Sequence, residues 1–429
     1  MAGKNIHMVG IKGVGMTGLA TLLKGAGDTV QGSDTEEVFF TDRILKDLAI
    51  PVLPFSEKNI KSGIDEVIYS TAYTQKHPEL KRAAVLDIPV YSYTEVLAEL
   101  FNKKKGIMVT GTHGKTTTTA ALGRILEQAG WDPTVLVGSE VIEWKRTARF
   151  GKSEWMLIEG DEYQAKMLLM RPYALLITNI DYDHPDFYKT PRDYNEAFKK
   201  LFGNLKEGGK VVIHEEILQK EGFRELVLKG NITTFNKIDL PLENIFGFHN
   251  LMNVSAAYHM AHQLGVEDDV SRDVIRRFRG TKRRLEYYTA AHASPVVLDD
   301  YAHHPKEIQA AIGAIRERYP HHYIIAVFQP HTFSRTEVFL EDFASSFYDA
   351  DEIIILEVYG SAREKKGKVG GMDLFRKIRA NGGNVRFVAS IKQTAILLKK
   401  RTWSRDVVIA TLGAGDVWRV AKALASRSI

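Results

Sequence analysis

The chain has 429 residues, 44% hydrophobic and 26% charged, with 58 basic against 53 acidic side chains and a net charge of +5. That length predicts two or three domains, and so even a balance, with basic residues spread along the chain, argues against a dedicated nucleic-acid binder. The absence of cysteine excludes disulfides, thiolate nucleophiles and zinc–thiolate sites.

Strands and helices alternate nearly throughout, which predicts α/β layers with mostly parallel sheets. The first predicted strand, 6–9, has no signal-like apolar core before it. No apolar run approaches the roughly 18–20 residues of a membrane span, so a cytoplasmic protein with no membrane partner is expected. After this strand, Gly10-Ile11-Lys12-Gly13-Val14-Gly15-Met16-Thr17-Gly18 leads into a helix through Leu23. Gly13, Gly15 and Gly18 have the spacing of a dinucleotide-binding turn. Asp34, just past a predicted strand at 29–31, stands where a ribose-binding acid is expected. What such a turn supplies is close backbone approach and a helix N-terminus for a diphosphate. Both a nicotinamide-dependent dehydrogenase and a binder of a UDP-type substrate remain open. A strand at Glu66–Tyr69 ends in Ser70-Thr71-Ala72, and a helix at 93–101 with Lys103-Lys104-Lys105 closes a first segment, 1–105.

The second segment, 106–292, opens with a strand at 107–109 that feeds Gly111-Thr112-His113-Gly114-Lys115-Thr116-Thr117 and then a helix. Glycines there let backbone N–H groups face phosphate oxygens, the lysine reaches the terminal phosphates, and a hydroxyl such as that of Thr116 ligates magnesium. Val109 occupies the position where the general phosphate-loop pattern has its first glycine, which is displaced to Gly111. Strands at 155–158 and 175–178 run into Glu159-Gly160-Asp161-Glu162 and Asn179-Ile180-Asp181-Tyr182-Asp183-His184. Acids at strand ends in the sheet that carries the phosphate loop are placed to bind magnesium, and Glu159 is the first candidate. His184, among acids at a sheet end, is read either as structural or as a metal ligand.

The third segment, 293–429, has strands at 296–298, 323–328, 352–356, 385–388 and 407–411. Polar clusters follow two of them, at Asp299-Asp300-Tyr301-Ala302-His303-His304 and at Gln329-Pro330-His331-Thr332-Phe333-Ser334-Arg335, and predict a crevice at adjacent strand ends.

Nine motifs stand in order: GIKGVGM (10–16), GTHGKTTTT (111–119), EGDEY (159–163), TNIDYDHPD (178–186), FGFHNLMN (246–253), GTKRRLE (280–286), DDYAHHP (299–305), FQPHTFSRT (328–336) and GAGDVW (413–418). Together they resemble the Mur ligases over the whole chain. The resemblance implies an α/β fold of three domains: an N-terminal Rossmann-like domain, a central P-loop ATPase-like domain and a C-terminal Rossmann-like domain. These would bind a UDP-substrate, ATP and an amino acid respectively. It implies an ATP-dependent ligase of peptidoglycan precursor synthesis that joins L-alanine to UDP-N-acetylmuramic acid through an acyl phosphate. A family branch that joins a tripeptide to the same acid is the alternative, and the dehydrogenase is the alternative of another class.

By the same resemblance, Lys115, Glu159 and His184 are catalytic, and Thr116, Glu159 and His184 hold Mg²⁺. ATP meets Gly111, Thr112, His113, Gly114, Lys115, Thr116 and Thr117, together with Asn250, Arg284 and Asp300. The UDP-substrate meets Gly10, Lys12, Gly13, Val14, Gly15, Met16, Asp34, Ser70 and Thr71. The amino acid meets Tyr301, His304 and His331, with Arg335 taking its carboxylate because Thr332 stands where some members have arginine. The alanine-adding branch is not expected to need a carbamylated lysine, so Lys166 is expected to keep its ammonium. A monomer or homodimer is expected.

Overall fold

The computed structural model describes residues 3–227, 232–360, 364, 366–404 and 406–426. Three separate sheets carry the fold. In the first, β1 (Asn5–Val9), β2 (Thr29–Asp34), β3 (Val52–Pro54), β4 (Glu66–Tyr69) and β5 (Val90–Ser92) lie in the order 3-2-1-4-5, all parallel. The order reverses at β1, which opens a crevice beyond its carboxyl end, where the first glycine loop lies.

The second sheet contains β6 (Lys105–Thr110), β7 (Thr134–Val141), β8 (Arg146–Arg149), β9 (Trp155–Glu159), β10 (Ala174–Ile177), β11 (Lys210–His214) and β12 (Ile232–Phe235). Their order is 12-11-10-6-9-7-8, and all are parallel except β8, which runs against β7. The phosphate loop follows β6, between the ends of β9 and β10. In the third sheet, β13 (Glu286–Tyr287), β14 (Val296–Asp300), β15 (Tyr323–Phe328), β16 (Glu352–Ile355), β17 (Val385–Phe387) and β18 (Val407–Leu412) take the order 13-14-18-15-16-17. Only β13 is antiparallel, and β18, last in the chain, is inserted between β14 and β15.

Burial on both faces explains the apolar runs of the central strands. On β15, Ile324, Ala326 and Phe328 enter one core, while Ile325 and Val327 enter the core on the opposite face. β18 divides likewise, Val408, Ala410 and Leu412 against Val407 and Ile409. Each such Val, Leu, Ile or Phe, sealed from water, contributes about 1.5–3 kcal/mol, and each alanine less.

The chain divides into two compact units. The first comprises Met1–Asp181, Arg192–Pro241 and Asn253–Thr281 and holds the first two sheets. The second comprises Tyr182–Pro191, Leu242–Met252 and Lys282–Ile429 and holds the third. Inside the first unit, the helix Val14–Gly25 packs on the second sheet so closely that a Cβ on Gly18 would lie 2.2 Å from Leu136 Cδ1. The third glycine of the first loop therefore serves packing. Arg43 Nη2 donates to Glu140 at 2.7 Å across the same contact. No helix among the described residues is long and apolar enough to cross a membrane.

Candidate active site

In the first unit, two glycine loops lie at strand ends. Gly10 takes φ +79, and a Cβ there would meet the Tyr73 ring at 2.5 Å, so only glycine fits the turn. The helix Val14–Gly25 starts at Gly13 with no side-chain cap, which leaves its N-terminal N–H groups free to receive an anion. The predicted UDP-substrate residues Gly10, Gly13, Val14, Gly15, Met16, Ser70 and Thr71 come together around this turn: Ser70 N–H donates to Val9 O at 2.9 Å, and a Cβ on Gly10 would lie 3.0 Å from Ser70 Cβ.

Asp34 and Lys12 are occupied in holding the loop. Asp34 accepts the Lys12 backbone N–H at 2.7 Å and the Thr35 N–H at 2.7 Å. The Lys12 ammonium donates to Thr35 O and Glu37 O, each at 2.9 Å, and lies 3.1 Å from Asp42. Its charge is thus spent on the segment after β2. Sequence spacing could not show this, because the acceptors are backbone carbonyls of a distant turn.

The phosphate loop is clamped from β10. Asn179 Oδ1 accepts the His113 N–H at 2.9 Å, and its Nδ2 donates to His113 O at 2.9 Å. Thr112 Oγ1 donates to Asp181 O at 2.7 Å. Gly111 (φ +133) and Gly114 (φ +80) leave no room for a Cβ, which would stand 2.2 Å from Thr178 Oγ1 and 2.0 Å from Asn253 Oδ1. Thr117, on the helix Lys115–Gln128, is buried.

Lys115 Nζ is 2.9 Å from Glu162 Oε2 and donates to Gly111 O at 2.6 Å and Thr112 O at 2.9 Å. Burial alone would pull its pKa down. The carboxylates of Glu162 and Glu159 outweigh that and hold it above the usual lysine value, so the ammonium persists at neutral pH. Glu162 was not singled out in the sequence, although it lies in the same acidic motif as Glu159. Thr116 Oγ1 donates to both Glu159 oxygens at 3.0 Å, and Gly138 N–H donates to Glu159 Oε2 at 2.8 Å. A hydroxyl and a carboxylate meeting beside a phosphate loop are hard oxygen donors suited to Mg²⁺, which takes few protein ligands and fills its octahedron with phosphate and water. Among the described residues no group of three or more His, Asp or Glu gathers to hold a metal by itself. Lys166 Nζ, by contrast, is paired with Asp161 at 2.8 Å.

The remaining predicted residues lie in the second unit. His184 (φ +57) donates its backbone N–H to Asp183 at 2.7 Å. Asp183 accepts from Arg335 Nε at 3.0 Å and Nη2 at 3.1 Å, a buried two-pronged pair. Burial opposes ionisation of Asp183, but Arg335 and His184 prevail and its pKa lies well below the usual carboxylate range. Arg335, predicted for the amino-acid carboxylate, is therefore already matched by a carboxylate, that of Asp183, which the sequence places only among the acids of its strand end. His331 Nδ1 lies 3.3 Å from Arg335 Nη1, and its ring stacks on Tyr359. Burial, with His303 and Arg335 nearby, lowers the His331 pKa to about 3, so it is neutral at physiological pH.

His304 caps the helix Pro305–Arg318: its Nδ1 accepts the Lys306 N–H at 3.3 Å, and Glu307 completes the capping box. Tyr301 lies under two guanidiniums, with Arg283 and Arg284 at 5.1 and 5.2 Å from its ring centre. Arg283 donates to Asp299 at 2.9 Å and to Gly413 O at 2.6 Å, while Arg284 stays on the Tyr301 face. Asp300 accepts Leu285 N–H at 2.7 Å and Ala302 N–H at 2.8 Å, and burial raises its pKa to about 6. Asn250 Nδ2 donates to Phe246 O at 2.9 Å, which fixes the amide at the start of the helix Phe248–Leu264.

Three family profiles match the chain in order: "Mur ligase family, catalytic domain" over 5–105, "Mur ligase middle domain" over 109–237, and "Mur ligase, glutamate ligase domain" over 283–415. The UDP-N-acetylmuramate–L-alanine ligase of Desulfitobacterium hafniense is 38% identical, with 98% of this chain and 99% of that protein covered. That of Lactiplantibacillus plantarum is 35% identical, with 97% of each covered. Among solved structures, the UDP-N-acetylmuramate–alanine ligase of Thermotoga maritima superposes with a TM-score of 0.81 at 27% identity, covering 98% of both chains. A murein peptide ligase from Psychrobacter arcticus shares the fold, with a TM-score of 0.72 at 20% identity over 100% of both chains.

Proposed function

This chain belongs to the Mur ligase family, and from that premise we propose that it joins L-alanine to UDP-N-acetylmuramic acid with cleavage of ATP, a step of peptidoglycan precursor synthesis in the cytoplasm. One observation carries the reading: a single compact unit holds two anion cradles of different chemistry. The loop at Gly10–Met16 offers a helix terminus and no free cation, which suits a diphosphate that is bound and left intact. The loop at Gly111–Thr117 adds the Lys115 ammonium and the Thr116–Glu159 pair, which suits a triphosphate that is cleaved. A dehydrogenase would have no use for the second cradle.

A carboxylate is a poor electrophile until phosphorylated. In the proposed reaction the carboxylate of the muramic acid attacks the γ-phosphorus of ATP, ADP leaves, and an acyl phosphate forms. The neutral amine of L-alanine then adds to the acyl carbon, and the tetrahedral intermediate expels phosphate as the amide forms. In-line phosphoryl transfer demands positioning and charge neutralisation rather than covalent help from the protein. Lys115 supplies a fixed positive charge, and the clamp from Asn179 holds the loop backbone in its phosphate-binding shape. Thr116 and Glu159 would hold Mg²⁺, which when bound supplies further neutralisation of the phosphate oxygens. We propose domains at 1–105, 106–281 and 282–429. The second limit is moved from 292 because β13 (Glu286–Tyr287) pairs with β14.

The test is phosphate release with each component omitted in turn. Release is expected only when ATP, UDP-N-acetylmuramic acid and L-alanine are all present. Release with the tripeptide but not with L-alanine would transfer the chain to the peptide-adding branch.

A further inference from the structure

Tyr93 lies outside every motif that points to function, yet it touches the first cradle and feels the charges of the acids beside the second. It is the first residue of the helix Tyr93–Asn102, whose start is fixed by a capping box: Ser92 N–H donates to Glu95 at 2.7 Å, and Glu95 N–H donates to Ser92 Oγ at 3.3 Å. This anchors the backbone from which the phenol projects. One side of the ring packs on the core of the first sheet. Its tip reaches Gly15 in the first glycine loop, where a Cβ would stand 2.9 Å from both Cζ and Oη of the tyrosine. Glycine at position 15 therefore makes room for this phenol, a separate demand from close approach to a diphosphate. The phenol also lies within electrostatic reach of Asp161 and Glu159, at and just past the end of β9. Burial, with the charges of Asp161 and Glu159, raises the phenol's pKa, so it stays protonated at any pH where the protein works. The ring is partly buried, and its hydroxyl makes no hydrogen bond with the described residues. A rigidly mounted, partly buried donor with no partner between two anion sites is set to meet a ligand group.

Taking the proposed function as its basis, we propose that the Tyr93 hydroxyl donates a hydrogen bond to the carboxylate-bearing sugar of the UDP-linked substrate, holding that carboxylate between the diphosphate cradle and the phosphate loop. The argument is one of reach and charge. The substrate's diphosphate is assigned to the loop at Gly15, and its carboxylate must come to the phosphate loop. Beside Glu159 and Asp161 a neutral donor gives the arriving anion a partner among groups of its own sign. Tyr93 is then a binding residue for the acid and has no part in holding ATP or the amine.

The variant is Tyr93→Phe, which keeps the ring, its packing and the room at Gly15. Binding of UDP-N-acetylmuramic acid and of UDP is measured by calorimetry on the full chain without ATP, followed by steady-state kinetics. Affinity for UDP-N-acetylmuramic acid is expected to fall roughly 10- to 100-fold, the loss of one hydrogen bond to a charged group, with UDP affinity unchanged. KM for the acid should rise by a similar factor while KM for ATP and for L-alanine stays within about twofold. Unchanged affinity for the acid, or equal losses for the acid and UDP, would overturn the inference. Failure of the unaltered protein to bind the acid would instead defeat the proposed function. A purely structural tyrosine would lower thermal stability and all three KM-based efficiencies together, and that pattern too counts against the proposal.

Discussion

Lys115 and Glu162 form a close ion pair at the phosphate loop. The ammonium is 2.9 Å from a carboxylate that is itself almost wholly buried, so removing the lysine has two separable effects. Lys115→Ala is expected to lower turnover by at least about 100-fold through loss of charge at the transferred phosphate. It also takes one cationic partner away from the buried Glu162 carboxylate, which lowers stability. The double variant Lys115→Ala/Glu162→Gln should therefore regain part of the stability and none of the turnover. Binding of UDP-N-acetylmuramic acid should persist in both. Denaturation midpoints set beside phosphate release check this, and recovery of turnover in the double variant would remove Lys115 from its role.

At the scale of elements, the network beneath the first glycine loop sets a pH limit on the first sheet. Glu79, fully buried on the helix Pro78–Val85, lies 3.3 Å from His7 Nε2 on β1 and accepts from Ser33 on β2, from Ser56 N–H at 3.0 Å and from Asn59 at 2.7 Å. Burial alone would raise its pKa, but these donors outweigh it and lower the pKa from 4.5 to about 2. A carboxyl depressed on folding stabilises above its unfolded pKa, and that stability is lost as pH falls through the folded value. The contribution is about 3 kcal/mol at pH 7, falls to roughly half of that near pH 3, and is gone below about pH 2. The stability difference between the protein and Glu79→Gln should shrink across that window. A difference independent of pH would show that the carboxylate is not the source.

The same scale shows what the chain discloses before folding. The strands that carry motifs, β1, β6, β9, β10, β14, β15 and β18, are legible because each is a mostly apolar, mostly buried run that ends abruptly in glycine or polar residues. β2 outruns its expected end at Gln31. Gly32 resembles a break but lies within the strand, where a Cβ would be 2.5 Å from Met8 O on the neighbouring strand. β3, β5 and β13 are too short for periodicity to mark, and β7 is interrupted by Gly138 and Ser139. The candidate site divides in the same way. Glycines, Lys115 and Glu159 are given by local spacing. Their partners Glu162, Asn179 and Tyr93, like Asp183 as the partner of Arg335, are chosen by strand order and helix placement, which no window of sequence contains.

For the whole molecule, the division into two compact units has a thermodynamic consequence. The first unit has its own cores and contains every residue of the first glycine loop together with Asp34, Ser70 and Thr71, and the second has cores on both faces of its sheet. Heating is therefore expected to give two calorimetric transitions, since chains with separate cores depart from two-state behaviour. UDP-N-acetylmuramic acid alone should stabilise only the transition of the first unit, by about 2.7 kcal/mol at 100 times its Kd. For a unit of this size that is a shift of a few degrees, with the second transition unmoved. The first transition can be identified independently by its sensitivity to Glu79→Gln. If the second moved and the first stayed, the first glycine loop would not be where the UDP-substrate binds. If both moved equally, substrate binding would couple the units before ATP arrives, and the cradles could no longer be treated as separate.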